Sequence, residues 1–258
     1  MTQHVQTAEA TAKPGAVKET IEIVKTIVYA LAIALVIRVL LFQPFTIPSA
    51  SMEPNLLVGD YIIVSKYSYG YSKHSVPFSP PVFEGRIFER TPERGDVIVF
   101  KLPSDGKKDY IKRLIGLPGD RIRMRDGALY INGQPVKRDV GSLGVDESPF
   151  GQDRVVKQVG ETFPGGRSFI TQDSAETDMD NTQEYVVPAG HYFFMGDNRD
   201  NSLDSRVGQD AGGVGFVPAE NLQGKAQVIL LSWDQASLFQ PWTWFTRARP
   251  DRFFKLVK

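Results

Sequence analysis

The 258-residue chain contains no cysteine and only three histidines. The absence of cysteine excludes disulfides, thiolate nucleophiles and cysteine-ligated zinc, although it permits an oxidising compartment. A histidine-rich metal site or a Ser-His-Asp triad has few candidates, because His4 lies in a polar stretch and His74 in a segment rich in Ser, Lys and Pro. Only His191 has an ordered context, so the chemistry of this chain is expected to use hydroxyl, amine and carboxylate groups.

A net charge is also lacking, since 30 basic side chains balance 30 acidic ones. No overall positive field attracts nucleic acid, and we expect no nucleic-acid partner. With 41% hydrophobic and 23% charged residues, the chain can bury a core rather than remain disordered. Its length suits one large or two modest domains.

One long apolar run is present, at residues 27–42, and only Arg38 interrupts it. Snorkelling by Lys25 and Arg38 can extend it to the span of about 20 residues that a membrane requires. A cleavable secretory signal is the alternative, since its apolar core has similar length. Cleavage signals are weak after the run, which favours a retained transmembrane helix at residues 21–43.

The lysines near the apolar run are all on its N-terminal side, at positions 13, 18 and 25, and no Lys or Arg occurs between Gln43 and Ser65. The positive-inside rule then predicts a single pass with a flexible cytoplasmic tail at residues 1–20. Everything after the helix is expected outside the cytoplasm.

The remainder of the chain has the composition of β structure. Short runs rich in β-branched and aromatic residues occur at 61–64, 97–100, 110–115, 185–187, 192–195 and 228–231. No long amphipathic helix follows the apolar run. We therefore predict a mainly β fold, with an antiparallel sheet, a β-rich insertion and one N-terminal transmembrane helix.

Two segments interrupt this pattern. Residues 67–94 are rich in Tyr, Ser, Pro and Phe and predict an extended ribbon or loop. Residues 121–187 contain a weak strand at 128–131 and then a polar region, which predicts an inserted second or cap domain. The sheet domain would then comprise residues 44–120 and 188–258. Its C-terminal tryptophans suit either a membrane interface or a tail packed on the sheet.

The stretch at residues 48–54 follows the apolar run directly. Pro48 and Pro54 bracket it and favour a fixed, extended or turning backbone, which is a plausible seat for a nucleophilic serine. A serine beside prolines can equally form a turn or cap a helix. Ser51 lies within about 30 Å of the hydrocarbon edge even if the chain is extended.

A base for such a serine is available in the run at residues 109–115. In a strand, Lys112 shares a face with Tyr110 and Leu114, whereas Arg113 points to the other face. A lysine can act as a base if its pKa falls from about 10.4 to near 7, which costs roughly 4 to 5 kcal/mol and requires nearly complete desolvation. The alternative is an ordinary solvent-facing strand lysine.

The third polar stretch, at residues 196–206, follows a predicted strand and has one apolar side chain. A calcium loop is the alternative, but the stretch fails the EF-hand pattern, because Arg199 stands at the third ligand position and Ser202 where the EF-hand needs glycine. Interleaved aspartates and arginines indicate a network of ion pairs, either structural or supporting a site.

Together, residues 45–54, 110–120 and 196–206 resemble the successive signature boxes of the bacterial type I signal peptidases, in the same order. The resemblance extends through Gly59-Asp60 and residues 94–96 and covers most of 42–130 and 185–235. It implies a membrane-bound serine endopeptidase that removes signal peptides from exported preproteins with a Ser-Lys dyad. It implies no metal and no cofactor.

Residue by residue, Ser51 matches the nucleophile and Lys112 the general base, while Ser49 matches a hydroxyl that completes the oxyanion hole with the N–H of Ser51. One group matches the lysine-orienting serine and its supporting network: Ser202, Asp204 and Arg206. Another group matches the shallow pockets for small substrate residues: Phe45, Ile47, Pro48, Met52, Leu56, Tyr110 and Ile111.

The resemblance also implies a place and partners. It suggests the bacterial cytoplasmic membrane, a catalytic domain on the periplasmic or extracytoplasmic side, and the lipid bilayer, signal peptides and secretion translocon as partners. Members often have two spans, whereas one is present here. The alternatives are a Ser-Lys protease of narrower specificity, an inactive scaffold that binds export machinery, and a metal-binding protein built on residues 196–206. Intact Ser51 and Lys112 favour an enzyme.

Overall fold

The computed structural model describes residues 14–81, 83–146, 154–234 and 242–258. The chain divides after Arg38 into two compact units. The first contains nearly all of helix α1, Pro14–Leu40, whose segment Lys18–Leu40 is long and apolar enough to cross a membrane. The predicted span is therefore present as a helix.

The bounds of α1 differ from those predicted. Residues 14–20, which we expected to be a flexible tail, are helical, and residues 1–13 of that tail lie outside the described residues. Pro14 suits the first turn of a helix, and Lys18 and Glu19 are good helix formers. The helix ends at Leu40 rather than residue 43, because Pro44 disfavours helical backbone at Gln43.

The second unit, Val39–Lys258, is predominantly antiparallel β structure. Its strands in chain order are β1 Phe42–Thr46, β2 Asp60–Ser65, β3 Val97–Lys101, β4 Asp109–Gly116, β5 Arg121–Arg125, β6 Ala128–Ile131, β7 Gln134–Pro135, β8 Lys137–Asp146, β9 Arg154–Thr162, β10 Ser168–Asp173, β11 Tyr185–Val186, β12 His191–Met195, β13 Val217–Pro218, β14 Leu222–Ser232 and β15 Lys255–Leu256. The described part after α1 has one α-helix, the four-residue α2 Thr243–Thr246.

The largest sheet has the order β1-β2-β14-β3-β4-β12-β13, and β15 also pairs with β14. Strand β12 pairs with β4 only from Arg113 onward among the described residues. The first half of β4 therefore pairs with β3 on one side and leaves its other edge open. This edge forms one side of the site described below.

The predicted fold class is confirmed, and a strand forms at each predicted run, although β11 ends at Val186, one residue short; β2 to β4, β12 and β14 run beyond the predicted ends. Strand β1 was missed because it contains Pro44, which an edge strand tolerates. Strands β8 to β10 were missed because glycines and charged residues hide their alternation. In the described part of 67–94 no strand forms, and a bridge between Tyr71 and Ile87 closes a loop rather than a long ribbon.

The described residues of the insertion, 121–146 and 154–187, form two small sheets with the orders β11-β5-β6-β7 and β10-β9-β8. It is not a separate compact unit. Ile115 of β4 and Phe193 of β12 belong to one hydrophobic cluster with Ile122, Leu129 and Phe169 of the insertion. The boundary predicted at residue 121 therefore passes through a shared core.

The C-terminal aromatic residues have different surroundings. The ring of Trp233 packs edge-on against Tyr61 at a centroid distance of 5.6 Å, whereas Trp242 and Trp244 are exposed. Only part of this segment is therefore packed on the sheet.

Candidate active site

Ser51 lies on a single-turn 3-10 helix, Ala50–Met52, between β1 and β2. Ser49 precedes the turn with extended backbone. Met52 and Leu56 are fully buried in the core beneath, and the Leu56 N–H donates to the carbonyl of Met52 at 2.9 Å. These buried side chains anchor the turn to the core, and the side chain of Ser51 lines an open cleft.

The side chain of Lys112, on β4, reaches the hydroxyl of Ser51. Its Nζ lies 2.6 Å from Oγ of Ser51, although the two residues are 61 positions apart in the sequence. The lysine is 4% exposed, and its other hydrogen bond goes to the carbonyl of Ile111 at 3.1 Å. The alternative of a solvent-facing strand lysine is therefore wrong.

The surroundings of Lys112 lower its pKa from 10.5 to about 8. Burial is the main cause, because it penalises the charged ammonium, and the positive charge of Arg206 adds to it. The carboxylates of Asp204 and Asp197 act in the opposite direction. The amine is therefore partly neutral near pH 7, as a general base must be.

Ser49 is exposed at the rim of the cleft, and its Oγ lies 3.4 Å from Oγ of Ser51. Its hydroxyl is free to turn toward a carbonyl oxygen placed over Ser51. A second donor beside the N–H of Ser51 is the arrangement that stabilises an oxyanion.

The loop of residues 196–206 packs behind Lys112 and contains a buried ion pair. Arg206 donates to both carboxylate oxygens of Asp204 at 2.9 Å, and the N–H of Gly196 donates to the same carboxylate at 3.0 Å. Although burial alone would raise it, the pKa of Asp204 is lowered, chiefly by Arg206. The network of ion pairs predicted for this loop is present at these residues.

Ser202 also lines the cleft, and its hydroxyl is buried. The hydroxyl helps to lower the pKa of Asp204. Its Oγ nevertheless forms no hydrogen bond with any described residue, and therefore none with Lys112. Gly196 packs directly against it and against the main-chain oxygen of Ser51, so that no Cβ fits at this position. The expected hydrogen bond from Ser202 to the lysine is thus not made in this structure.

Sequence reasoning missed the role of Arg113, the neighbour of Lys112 on the opposite face of β4. Its guanidinium is fully buried and donates to both carboxylate oxygens of Asp197 at 2.7 Å. The next residue, Asn198, donates from its N–H to the carbonyl of Ser51 and from its side chain to that of Ala50, each at 3.2 Å. The alternation of β4 indicated the direction of Arg113, but nothing in the sequence indicated its partner.

The cleft has a volume of about 640 Å³. Of the residues predicted to bind substrate, Pro48, Tyr110 and Ile111 line it. The other four lie in or against the core below: Phe45, Ile47, Met52 and Leu56. Met52 and Leu56 have no exposed surface here, so in this conformation they support the floor of the cleft rather than form its surface.

His191, the other candidate base, starts β12 and does not belong to the lining of the cleft. Its Nδ1 lies 3.0 Å from the carbonyl of Ala189. The described geometry therefore brings Lys112, and not this histidine, to Ser51.

Comparison with known proteins gives a family match, several similar relatives and a similar solved structure. The family described as "Signal peptidase, peptidase S26" matches residues 20–233. Signal peptidase I of Rickettsia typhi is 42% identical over 248 residues, which cover 88% of this chain and 90% of the relative. Signal peptidase I of Rickettsia felis is 45% identical over 216 residues, which cover 79% and 77%. A crystal structure of a signal peptidase I from Enterococcus faecalis V583 has 31% identity and a TM-score of 0.31, and the match covers 53% of this chain and 97% of that one.

Proposed function

The chain belongs to the signal peptidase family, peptidase S26, and from that premise we propose that Ser51 and Lys112 are the nucleophile and the general base of its reaction. It is a membrane-anchored serine endopeptidase that cleaves signal peptides from preproteins. The observation that supports the dyad is the 2.6 Å contact between Nζ of a buried lysine and Oγ of Ser51.

In the proposed acylation step, neutral Lys112 accepts the proton of the Ser51 hydroxyl as Oγ attacks the carbonyl carbon of the scissile bond. The oxyanion that forms receives hydrogen bonds from the N–H of Ser51 and the hydroxyl of Ser49. When the tetrahedral intermediate collapses, the carbon–nitrogen bond breaks and Lys112 returns its proton to the leaving amine. The signal peptide remains as an ester on Ser51.

In the proposed deacylation step, Lys112 accepts a proton from a water molecule, and the water oxygen attacks the ester carbon. Collapse of the second intermediate breaks the bond to Oγ, and the proton on Lys112 returns to Ser51. The signal peptide leaves with a new carboxylate. One amine thus serves both halves of the reaction.

We further propose that the substrate binds as an added strand on the open edge of β4. The edge residues Asp109 to Lys112 line the cleft opposite Pro48. An unpaired strand edge offers N–H and C=O groups to an extended chain, while alternate substrate side chains enter shallow pockets. Tyr110 and Ile111 would contact the small residues before the scissile bond, with Phe45, Ile47, Met52 and Leu56 beneath them.

The proposal includes the orientation of the chain in the membrane. Lys13 precedes α1, and Lys18 and Lys25 lie in its N-terminal half. By the positive-inside rule these lysines favour a cytoplasmic N-terminus, with the catalytic unit on the extracytoplasmic side of the bacterial cytoplasmic membrane. This arrangement makes the lipid surface and the secretion translocon candidate partners.

The test is cleavage of a preprotein by the purified, detergent-solubilised chain and by Ser51→Ala and Lys112→Met variants. Lys66→Met is a matched control, because Lys66 is also a buried lysine but lies outside the cleft lining. Activity is expressed per folded molecule, with folding measured by circular dichroism. We expect both dyad variants to be inert and the control to cut.

Cleavage by a folded Lys112→Met variant would place the base elsewhere and refute the dyad. If the parent chain is inert toward several preproteins that other signal peptidases process, the inactive scaffold becomes the better description.

A further inference from the structure

The insertion reaches the active site through the loop of residues 196–206. This loop holds the nucleophile in place, because Asn198 donates to the carbonyls of Ser51 and Ala50. The position of the loop therefore decides where Oγ of Ser51 lies relative to Nζ of Lys112. The contacts that hold this loop in place therefore affect the geometry of the dyad.

Main-chain hydrogen bonds connect the loop to β10 of the insertion. The N–H of Gln172 donates to the carbonyl of Asp197, and the N–H of Arg199 donates to the carbonyl of Gln172, each at 2.9 Å. Gln172 and Asn198 form a parallel bridge. Asp200 accepts hydrogen bonds from the main-chain N–H groups beyond β10, including that of Ser174 at 2.7 Å. The loop is thus hydrogen-bonded alongside the end of β10.

A buried ion pair reinforces this attachment. Glu161 on β9 accepts hydrogen bonds from Nη1 and Nη2 of Arg199 at 2.8 and 2.5 Å, one to each carboxylate oxygen. The side chain of Glu161 is fully buried and that of Arg199 nearly so. Two parallel bonds between planar groups fix both distance and orientation.

Arg199 is connected to the dyad by two further contacts. It lines the cleft beside Lys112 and Ser202. Its main-chain carbonyl accepts a hydrogen bond from Arg206 at 2.5 Å, and Arg206 belongs to the ion pair behind Lys112. A displacement of Arg199 would therefore move both the group that holds Ser51 and the charged pair that influences the base.

We propose that Glu161 is a positioning residue for the proteolytic reaction, and that the insertion serves to hold the active-site loop through the Glu161–Arg199 ion pair. The proposal rests on the Ser51–Lys112 dyad proposed above. If Glu161 loses its charge, Arg199 is left buried and unpaired, and burial of an uncompensated charge is strongly unfavourable. The guanidinium must then reach water, which draws the loop away from Ser51 and admits solvent to Lys112.

The test compares Glu161→Gln, which keeps the shape and removes the charge, with Glu161→Asp, which keeps the charge and shortens the reach. Glu184→Gln is the matched control, since Glu184 lies in the same insertion and also pairs with an arginine, Arg121, but at the surface. The readouts are folded fraction, kcat, KM and the pH midpoint of kcat/KM on one preprotein.

For folded Glu161→Gln we expect kcat to fall by about 10²-fold, the effect of a misplacement of about 1 Å in a catalytic geometry. KM should change little, because the edge of β4 is untouched. The pH midpoint should rise, because a solvated lysine holds its proton more strongly. Glu161→Asp should recover part of kcat, and Glu184→Gln should match the parent in every readout.

A folded Glu161→Gln variant with the parent's kcat and pH midpoint would overturn the proposal, since a merely structural pair would change stability alone. If Glu161→Gln does not fold, the folded Glu161→Asp variant decides, and a parental kcat there is the contrary result. Ser51→Ala, assayed in parallel, distinguishes the two proposals. If it is inert while Glu161 variants are normal, only the role of Glu161 fails.

Discussion

The pH dependence of cleavage follows directly from the environment of Lys112. Burial lowers the pKa of this lysine from 10.5 to about 8. A difference of about 2.5 pH units corresponds to about 3 kcal/mol between the two protonation states. At pH 7 about one tenth of the molecules then carry the neutral amine, against about 0.03% for an ordinary lysine. Burial thus increases the active fraction about 300-fold.

We therefore expect kcat/KM to rise about tenfold per pH unit below pH 7 and to level off above about pH 9, with a midpoint near 8. The assay is the initial rate of preprotein cleavage between pH 5 and 10 at constant ionic strength. His74→Gln and His191→Gln are controls that should keep this midpoint. The pKa of His74 is lowered, first by burial and then by Lys73, so it cannot produce a midpoint at 8.

The same lowered pKa predicts that the stability of the folded chain depends on pH. Between pH 8 and 10.5 the folded chain binds fewer protons at Lys112 than the unfolded chain does. The free energy of unfolding should therefore rise with pH across this window, and the stability gained there is lost again as the pH falls to 8. In Lys112→Met this contribution, about 3 kcal/mol, should be absent from urea unfolding curves.

A flat activity profile from pH 5 to 9 would refute the reasoning, because a base that must lose a proton cannot be insensitive to pH in that range. A midpoint above 10 would show that Lys112 is solvated in the working enzyme. A midpoint at 8 that disappears in a histidine variant would transfer the role of base to that histidine.

Substitutions at Ser49, Arg113 and Gly196, with matched comparisons, give further expected outcomes. Ser49→Ala should lower kcat by about 10²- to 10³-fold through loss of an oxyanion donor, and Ser49→Thr should restore part of it, as steady-state kinetics can measure. Arg113→Gln should lower the free energy of unfolding in urea by about 3 to 5 kcal/mol, because buried Asp197 loses its charged partner. The matched exposed substitution, Arg121→Gln, should cost less than about 1 kcal/mol. Gly196→Ala should inactivate a folded enzyme, because no Cβ fits at this position.

Parental kcat in Ser49→Ala would remove that hydroxyl from the proposed oxyanion hole. An Arg113→Gln variant as stable as the parent would mean that Asp197 is not buried in solution. Full activity in Gly196→Ala would show that the loop can move away from Ser51 without loss of catalysis.

Much of the fold was predictable because its signals are local. The apolar run of α1 and the β-branched runs of the central strands depend only on neighbouring residues, and they gave the membrane helix and most strands of the large sheet. Strands β8 to β10 were not predictable, since their glycines and charged residues carry no alternating pattern and tertiary pairing decides their structure.

The site divides in the same way. The resemblance of three successive stretches to the family's signature boxes singled out Ser51 and Lys112, and strand alternation placed Arg113 on the face opposite the lysine. The sequence could not establish that Lys112 is buried, because desolvation depends on packing by residues distant in the chain. Burial is nevertheless what lowers the pKa of the lysine toward the value that the proposed base requires.

The sequence by itself thus determined the membrane helix, the β character of the remainder and the two residues of the proposed dyad. Only the tertiary structure decided the 2.6 Å contact within that dyad, the partners Arg113–Asp197 and Glu161–Arg199, and the attachment of the loop to the insertion. The physical reason is that 30 basic and 30 acidic side chains permit many pairings of equal charge. Long-range packing selects the few pairs that are brought together and removed from water.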